Sequence, residues 1–372
     1  MKITISKEEL VQGVQTIQSA LSTRTTLPIL LNFLMETEDK RVKVVSTDLE
    51  MGVKHYLKAD IENDGSITIP AKKFSDILHS LPDAQDIELS VDAGGKVSLK
   101  CGRSRFGIIG APKSDYPVLP DFNKATAFEL PAGTLGEMVR KTIFAASSDE
   151  TRHVLNGVFW AAKKGSLEMV ATDGRRLAVC IKKLLPKEKD FAVIVPTKVL
   201  AEFLRLLNVL EIQNNDAEKM LVAVTENQIT FQLKGTTLLS RLVGGAFPNY
   251  EQVIPSKREV IFIAPTKDLL AVTKRAALCA IDRGGSVKYV IKKGILTVSS
   301  SSQNNEFTEE LAIDFTGNDF AVAFNPQYVI DALKHIDTEK TTVAMTTPVN
   351  PALFEPTGGE ADYRFVVMPM RI

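Results

Sequence analysis

Ile69-Pro70-Ala71-Lys72-Lys73-Phe74, Val195-Pro196-Thr197-Lys198-Val199-Leu200 and Phe324-Asn325-Pro326-Gln327-Tyr328-Val329 are three versions of one phrase. Each closes an apolar strand, passes a proline and opens an amphipathic helix. Pro70 and Pro196 lie 126 positions apart. Working outward from them, Ile3-Thr4-Ile5-Ser6 before a first helix returns 125 positions later as Phe128-Glu129-Leu130-Pro131, and again as Ile261-Phe262-Ile263-Ala264. Thr47-Asp48 and Thr172-Asp173, each after an apolar strand, repeat the offset of 125. Anchors that agree to within a residue make this a tandem repeat. The third copy is more diverged, and its middle, LTVSSSSQNNEFTEELA, lacks the Thr-Asp.

Leu10, Val14, Ile17 and Leu21 recur at helical spacing, and Ser6 followed by Glu9 reads as a capping box. Between the helices, alternating runs at 41–45, 87–91, 97–101, 167–170, 229–233 and 295–298 read as strands, with Asp64-Gly65 and Gly94-Gly95 as turns. The pattern predicts an α+β fold in which each copy packs two helices on one side of an antiparallel sheet. The expected domains are 1–121, 127–250 and 257–372, with linkers near 117–124 and 248–257. Units of this kind that pack on their neighbours build arcs or rings.

The chain of 372 residues is 44% hydrophobic and 24% charged, the composition of an ordinary globular protein. MKITISKEEL has no apolar run after its basic residue, and no apolar stretch reaches a membrane-spanning length, so the expected address is the cytoplasm. Lys plus Arg and Asp plus Glu both number 45, which weakens any model of nucleic-acid binding by bulk charge alone and leaves room for one basic face balanced by an acidic one. Cys101, Cys180 and Cys279 are too scattered for a disulfide framework or metal site, and His55, His79, His153 and His335 lack metal-ligand spacing. No metal or other cofactor is implied.

Asp48 and Asp173 can be offered as paired carboxylates, but the repeat puts them in different units, as turn-forming aspartates after a strand. Gly94-Gly95-Lys96 lacks the remainder of a phosphate loop, and no nucleophile motif appears. No catalytic residue is assigned. A metal-dependent DNA hydrolase using Asp48 and Asp173 stands as the enzymatic alternative, and a peptide-binding scaffold without DNA function as another.

Three features bear on binding. Gly102-Arg103-Ser104-Arg105-Phe106-Gly107 follows a strand and places two arginines two apart, on one face; it is either a charge-blunted edge or an interface. Glu306-Phe307-Thr308-Glu309-Glu310 complements it, so that first and third units of two molecules would meet head to tail. The apolar end Val366-Val367-Met368-Pro369-Met370-Arg371-Ile372 either completes a core strand or lines an adaptable groove for a peptide. Arg24, Lys72, Lys73, Arg140, Lys141, Lys198, Arg205, Lys267, Lys274 and Arg275 recur on or beside the helices, as a common phosphate-binding surface requires.

ATDGRRLA at 171–178, Ala246-Phe247-Pro248-Asn249-Tyr250, TLPIL at 26–30, TDLEM at 47–51, GRSRF and VVMPMRI together closely resemble the bacterial DNA sliding clamp family, the beta subunit of DNA polymerase III. The resemblance spans essentially the whole chain, with the motifs in order. It implies three domains of one clamp fold and a ring-shaped head-to-tail homodimer around duplex DNA. Its implied function is a processivity factor that tethers the replicative polymerase, the clamp loader and repair proteins through short linear motifs. The family's DNA contacts fall on Arg24, Lys72, Arg152 and Lys198, with Asp149 and His153 nearby; Asp149 is acidic where a neutral residue is expected and is left out of the contact set. The partner pocket falls on Thr172, Gly174, Arg175, Arg176, Leu177, Pro248, Val253, Val366, Met368, Pro369 and Met370. Arg175 stands where the family commonly has histidine. The dimer contact falls on Lys73, Ile77, Leu81, Arg103, Arg105, Phe106 and Ile108 on one side, and on Leu278, Cys279, Glu309 and Glu310 on the other.

Overall fold

Strand alternation and helix starts organise each copy in the same order. A computed structural model describes the chain apart from residues 22–24, 84, 186–189, 213–214, 281–284, 359–361 and 372, and apart from the side chain at 125. Among the described residues, each copy runs strand, helix, a set of strands, helix and closing strands. The helices are α1 (Lys7–Ile17), α2 (Ala71–Ser80), α3 (Ala132–Ile143), α4 (Thr197–Val209), α5 (Thr266–Ala277) and α6 (Pro326–Lys334). Thr16, Thr142 and Thr273, in the first helix of each copy, are buried, and each hydroxyl donates to the carbonyl four residues back, the way a polar group survives in a helix core.

The chain divides by contacts into two compact units, Met1–Gly136 with Lys198–Leu242 and Glu137–Thr197 with Val243–Ile372. In the first, an eight-stranded sheet runs Ala127–Pro131, Lys219–Val224, Gln228–Leu233, Thr236–Arg241, Met51–Leu57, Arg41–Thr47, Asn32–Glu38, Ser66–Pro70. A five-stranded sheet runs Asp60–Asn63, Lys2–Ser6, Asp86–Val91, Lys96–Cys101, Ser104–Ile109. The second unit repeats the plan. Its eight-stranded sheet runs Phe191–Pro196, Gly157–Lys163, Ser166–Thr172, Arg176–Lys183, Tyr363–Val367, Ala352–Pro356, Lys340–Met345, Val260–Pro265. Its five-stranded sheet runs Glu306–Ala312, Ile295–Ser301, Val287–Lys292, Phe320–Phe324, Pro369–Met370.

Each eight-stranded sheet therefore joins two copies. Strand Met51–Leu57 of the first copy pairs with Thr236–Arg241 of the second, and Arg176–Lys183 of the second with Tyr363–Val367 of the third, both antiparallel. α1 lies close on the first of these seams: a Cβ built on Gly13 would come 2.5 Å from Leu57 Cδ2, so glycine is kept in mid-helix despite its poor helix propensity.

Two local expectations change. The Glu9 N–H donates to Ser6 Oγ at 3.2 Å, but the Glu9 carboxylate accepts from the Lys58 N–H at 2.9 Å, so a tertiary partner takes the half of the capping box that should return to Ser6. Gly102, at φ +56°, and Arg103 form a hairpin turn ahead of strand Ser104–Ile109, which removes Arg103 from the strand alternation shared with Arg105.

Candidate functional site

Thr172-Asp173-Gly174-Arg175 turns the chain between two central strands of the second unit and builds its own scaffold. Thr172 Oγ1 donates to the Arg176 carbonyl at 2.6 Å and accepts from the Gly174 N–H at 3.0 Å. Asp173 Oδ1 accepts the N–H groups of Arg175 and Arg176 at 2.8 and 3.0 Å. Gly174 supplies the left-handed residue at φ +85°. The first copy builds the same turn, with Asp48 Oδ1 accepting from Glu50 and Met51 at 3.0 and 2.8 Å. The recurring Thr-Asp is thus a turn device, and both aspartates are spent on it.

Downstream of this turn lies an apolar sheet face. Val170, Leu177, Val179, Ala344, Leu353 and Val366 form a buried cluster, with Phe159, Ile181, Phe247, Tyr250 and Ile254 half-buried against it. Phe159 stacks on Phe247 at 5.1 Å between ring centroids, and Phe247 meets Tyr250 edge-on at 6.3 Å. Pro248 and Val253 are exposed on the same segment. Burial raises the Glu168 carboxyl above its usual range, and Glu168 accepts a hydrogen bond from Tyr250, anchoring the aromatic wall.

Of the two roles left open by its sequence, the structure shows the first for the tail, and leaves Met368 partly exposed just beyond the core strand. Tyr363–Val367 is a core strand, with Leu177 opposite Val366. Pro369 and Met370 then cross to the five-stranded sheet and pair with Phe324 and Ala323. Met368, at the crossing, stays 37% exposed, and strand alternation puts it on the Val366 side. Arg175 is exposed beside it, its carbonyl accepting the Met368 N–H. Arg176 is half-buried and committed: Nε donates to Asp173 Oδ2 at 3.1 Å, Nη1 to Asp331 Oδ2 at 2.6 Å, and the guanidinium lies 4.8 Å from the Tyr328 ring centre. The result is an apolar surface with a flexible methionine and the exposed Arg175 at its rim, suited to an apolar peptide end.

Family models match the chain in three consecutive stretches: the DNA polymerase III beta subunit N-terminal domain at residues 1–120, its central domain at 129–249 and its C-terminal domain at 251–371. The chain belongs to the DNA polymerase III beta subunit family. It is 32% identical over 375 residues to the beta sliding clamp of Haemophilus influenzae, each chain covered in full. The crystal structure of the Bacillus subtilis DNA polymerase sliding clamp superposes with a TM-score of 0.94 at 30% identity, covering 100% of this chain and 99% of that one. A sliding clamp from Pseudomonas aeruginosa, solved bound to griselimycin, gives 0.94 at 29% identity with both chains fully covered. Three tandem clamp domains of mixed helix and antiparallel sheet are therefore the architecture of this chain.

The cations that the sequence assigns to DNA in this family separate into exposed and structural sets. Lys72 and Lys198 are exposed, each the second residue of its helix, α2 and α4. Arg152 and His153 are exposed in the segment after α3, beside Asp149. Arg24 lies outside the described residues. Several other recurring cations do not belong to a basic surface. Lys141 is buried between Glu137 and Asp337, 3.4 Å from the Tyr363 ring centre, and Arg205 bonds Glu202 and the carbonyls of Gln15 and Thr16. Both are internal ties, which helical position alone does not distinguish from a solvated face.

The residues expected at a clamp dimer contact fall at ends of the two five-stranded sheets and on nearby helices, with Ile77, Leu81 and Ile108 buried in the chain's own core. Arg105, Phe106 and Ile108 lie on the terminal strand Ser104–Ile109; Arg103 sits in its turn, Lys73 and Ile77 on α2, and Leu81 just after it. Glu309 and Glu310 lie on the terminal strand Glu306–Ala312, and Leu278, 67% exposed, and Cys279 follow α5. Glu309 is already held by Arg275, with bonds of 2.8 and 2.5 Å. Phe307 is half-buried on the same strand, at a position that alternates with the exposed Glu306 and Thr308.

Proposed function

We infer that the chain is the processivity factor of the replicative DNA polymerase, a homodimeric ring that encircles duplex DNA, slides on it and tethers the polymerase, clamp loader and repair proteins. The observation that carries the ring is an equivalence between strands. At both internal seams, the third middle strand of one copy pairs with the third strand after the second helix of the next. The two strands left over by that rule are Ser104–Ile109 and Glu306–Ala312, each at one end of a five-stranded sheet. One protomer's leftover strand fits its partner's by the rule that already operates twice inside the chain, which is a head-to-tail contact.

The register transfers as well. Ser46, opposite Val53, and Ser300, opposite Phe307, each donate a buried hydroxyl to a carbonyl at the end of the copy's first helix, Ile17 and Ala276, so Val53 and Phe307 are equivalent. Leu238 is the third residue after its hairpin turn, as Phe106 is after Gly102-Arg103. Since Leu238 pairs with Val53, Phe106 is assigned opposite Phe307, and Arg105 opposite Thr308 between the diagonal neighbours Glu306 and Glu310.

A closed ring is held on DNA by topology, so weak, sequence-blind phosphate contacts suffice and a neutral net charge is no obstacle. Lys72, Lys198 and Arg152 are assigned those contacts, and the apolar face around Leu177, Val366 and Met368 is assigned the linear motifs. We assign no catalytic role: Asp48 and Asp173 are each bound within a turn, as the non-enzymatic reading requires. A cytoplasmic address is part of this proposal; among the described residues no helix is long and apolar enough to cross a membrane. Sedimentation should show a dimer, retained on nicked circular DNA and released when the circle is cut. A monomer that binds linear and circular DNA equally would overturn the reading.

A further inference from the structure

We propose that Asp48 and Asp149 are built-in counter-ions that hold Lys198 and Arg152 below their full strength toward phosphate, so that the ring grips DNA weakly enough to slide. This rests on the reading of Lys198 and Arg152 as phosphate contacts and adds two residues that act through them.

Both pairs are built alike. Asp48 uses Oδ1 to accept the Glu50 and Met51 N–H groups, and its Oδ2 meets the Lys198 ammonium. The Asp48 side chain is 10% exposed and that of Lys198 is 63% exposed, so the carboxylate is the fixed member and the cation the one that faces out. Asp149 uses Oδ1 to accept the Thr151 N–H and hydroxyl at 3.1 and 2.7 Å, and its Oδ2 lies 3.6 Å from Arg152 Nε. Those Thr151 bonds, with the Arg152 charge, hold the Asp149 carboxyl below its usual range, so it is ionised at neutral pH. Arg152 is further oriented by donating from Nη1 to the Asp173 carbonyl at 3.2 Å. In both places a turn fixes one carboxylate oxygen and offers the other to a cation.

A phosphate that reaches Lys198 or Arg152 competes with a carboxylate already there. Binding becomes an exchange of anions, and fewer counter-ions are released per contact than from an unpaired cation. Lys72 is the internal contrast, since it occupies the position of Lys198 one copy earlier and makes no ion pair among the described residues.

Asp48→Asn and Asp149→Asn test this in the full-length dimer, because an asparagine oxygen can still accept the turn N–H groups while the charge is lost. Affinity for a short labelled duplex is measured across a potassium chloride series. Each substitution should tighten binding about two- to fivefold, the usual worth of one exposed ion pair. Each should also steepen the dependence of log K on log salt by roughly one unit. Lys198→Ala and Arg152→Ala should weaken binding, and Lys72→Ala should weaken it more. Unchanged affinity and slope in the asparagine variants, with weakening in the alanine variants, overturns the counter-ion role and leaves the phosphate contacts standing. Tightening without a steeper slope overturns it too, since a reshaped turn would do that. Alanine variants that bind like the parent remove the phosphate contacts themselves, and the counter-ion role with them.

Discussion

The Met368 N–H donates to the Arg175 carbonyl at 2.9 Å, stitching the tail to the turn whose exposed arginine marks the rim of the apolar face. Met368 is 37% exposed and lies outside the buried core, so Met368→Ala should lower the melting temperature only modestly. A peptide ending in Leu-Phe should bind about tenfold more weakly, the loss of one apolar anchor. Removing residues 368–372 should abolish that binding and polymerase stimulation while sedimentation still shows a dimer. Fluorescence polarisation with a labelled peptide measures the first effect; parent-like affinity in Met368→Ala would remove the residue from the pocket.

The register proposed for the dimer contact makes a specific prediction. In a Cys279→Ser background, Phe106→Cys together with Phe307→Cys should cross-link two protomers under mild oxidation, because directly opposed strand positions bring Cβ atoms within about 4.5–5.5 Å. Phe106→Cys with Glu309→Cys should not, since Glu309 lies two positions along and is turned to Arg275. Equal cross-linking in the two pairs would show a slipped register. Non-reducing gel mobility reads the outcome.

His55 sits in the seam between first and second copies, its Nδ1 2.8 Å from Thr236 Oγ1, and burial lowers its pKa. Burial lowers that of His335 as well, where the ring stacks on Phe144 at 4.3 Å. The folded state therefore prefers both rings neutral, and the unfolded chain binds protons more readily. Stability is fully present above the ordinary histidine pKa of about 6.5 and declines as pH falls from there toward the depressed values. The slope is at most about 1.4 kcal/mol per pH unit for each histidine. Urea unfolding at several pH values should show this loss, and His55→Gln should flatten part of it and leave the His335 share.

Leu49 occupies the place of Gly174 in the first-copy turn and adopts φ +76° with its side chain 43% exposed. A branched side chain in the left-handed region costs about 1–2 kcal/mol. Leu49→Gly should therefore raise the unfolding free energy by about 0.5–1 kcal/mol after the extra chain entropy of glycine is subtracted. A denaturant midpoint that falls would mean that Leu49 makes a contact worth more than the strain.

Much of this fold was legible locally. The repeat offset, the strand runs and the Thr-Asp turns follow from alternation and turn chemistry that each segment carries within itself. The seams were not legible, because backbone ladders are indifferent to side-chain identity, and the pairing of Met51–Leu57 with Thr236–Arg241 joins segments far apart in sequence. Lys141 and Arg205 read as surface cations for a related reason: helical spacing places them, and only the contacts with Asp337 and the Gln15 carbonyl show that they are tied to other elements. The pocket assignments came from the resemblance, and geometry adds that Arg176 is committed to two aspartates whereas Arg175 is exposed.

The two leftover strands have a consequence for the chain alone. A lone protomer would carry a socket and a plug of the same make, each a row of unsatisfied peptide groups. If the angle between successive protomers closed after two, growth would stop; a small change of angle would let chains add without end into a filament. Dilution, or substitutions that tilt the seam, should therefore test more than dimer affinity, because the competitor to a closed pair is an open polymer.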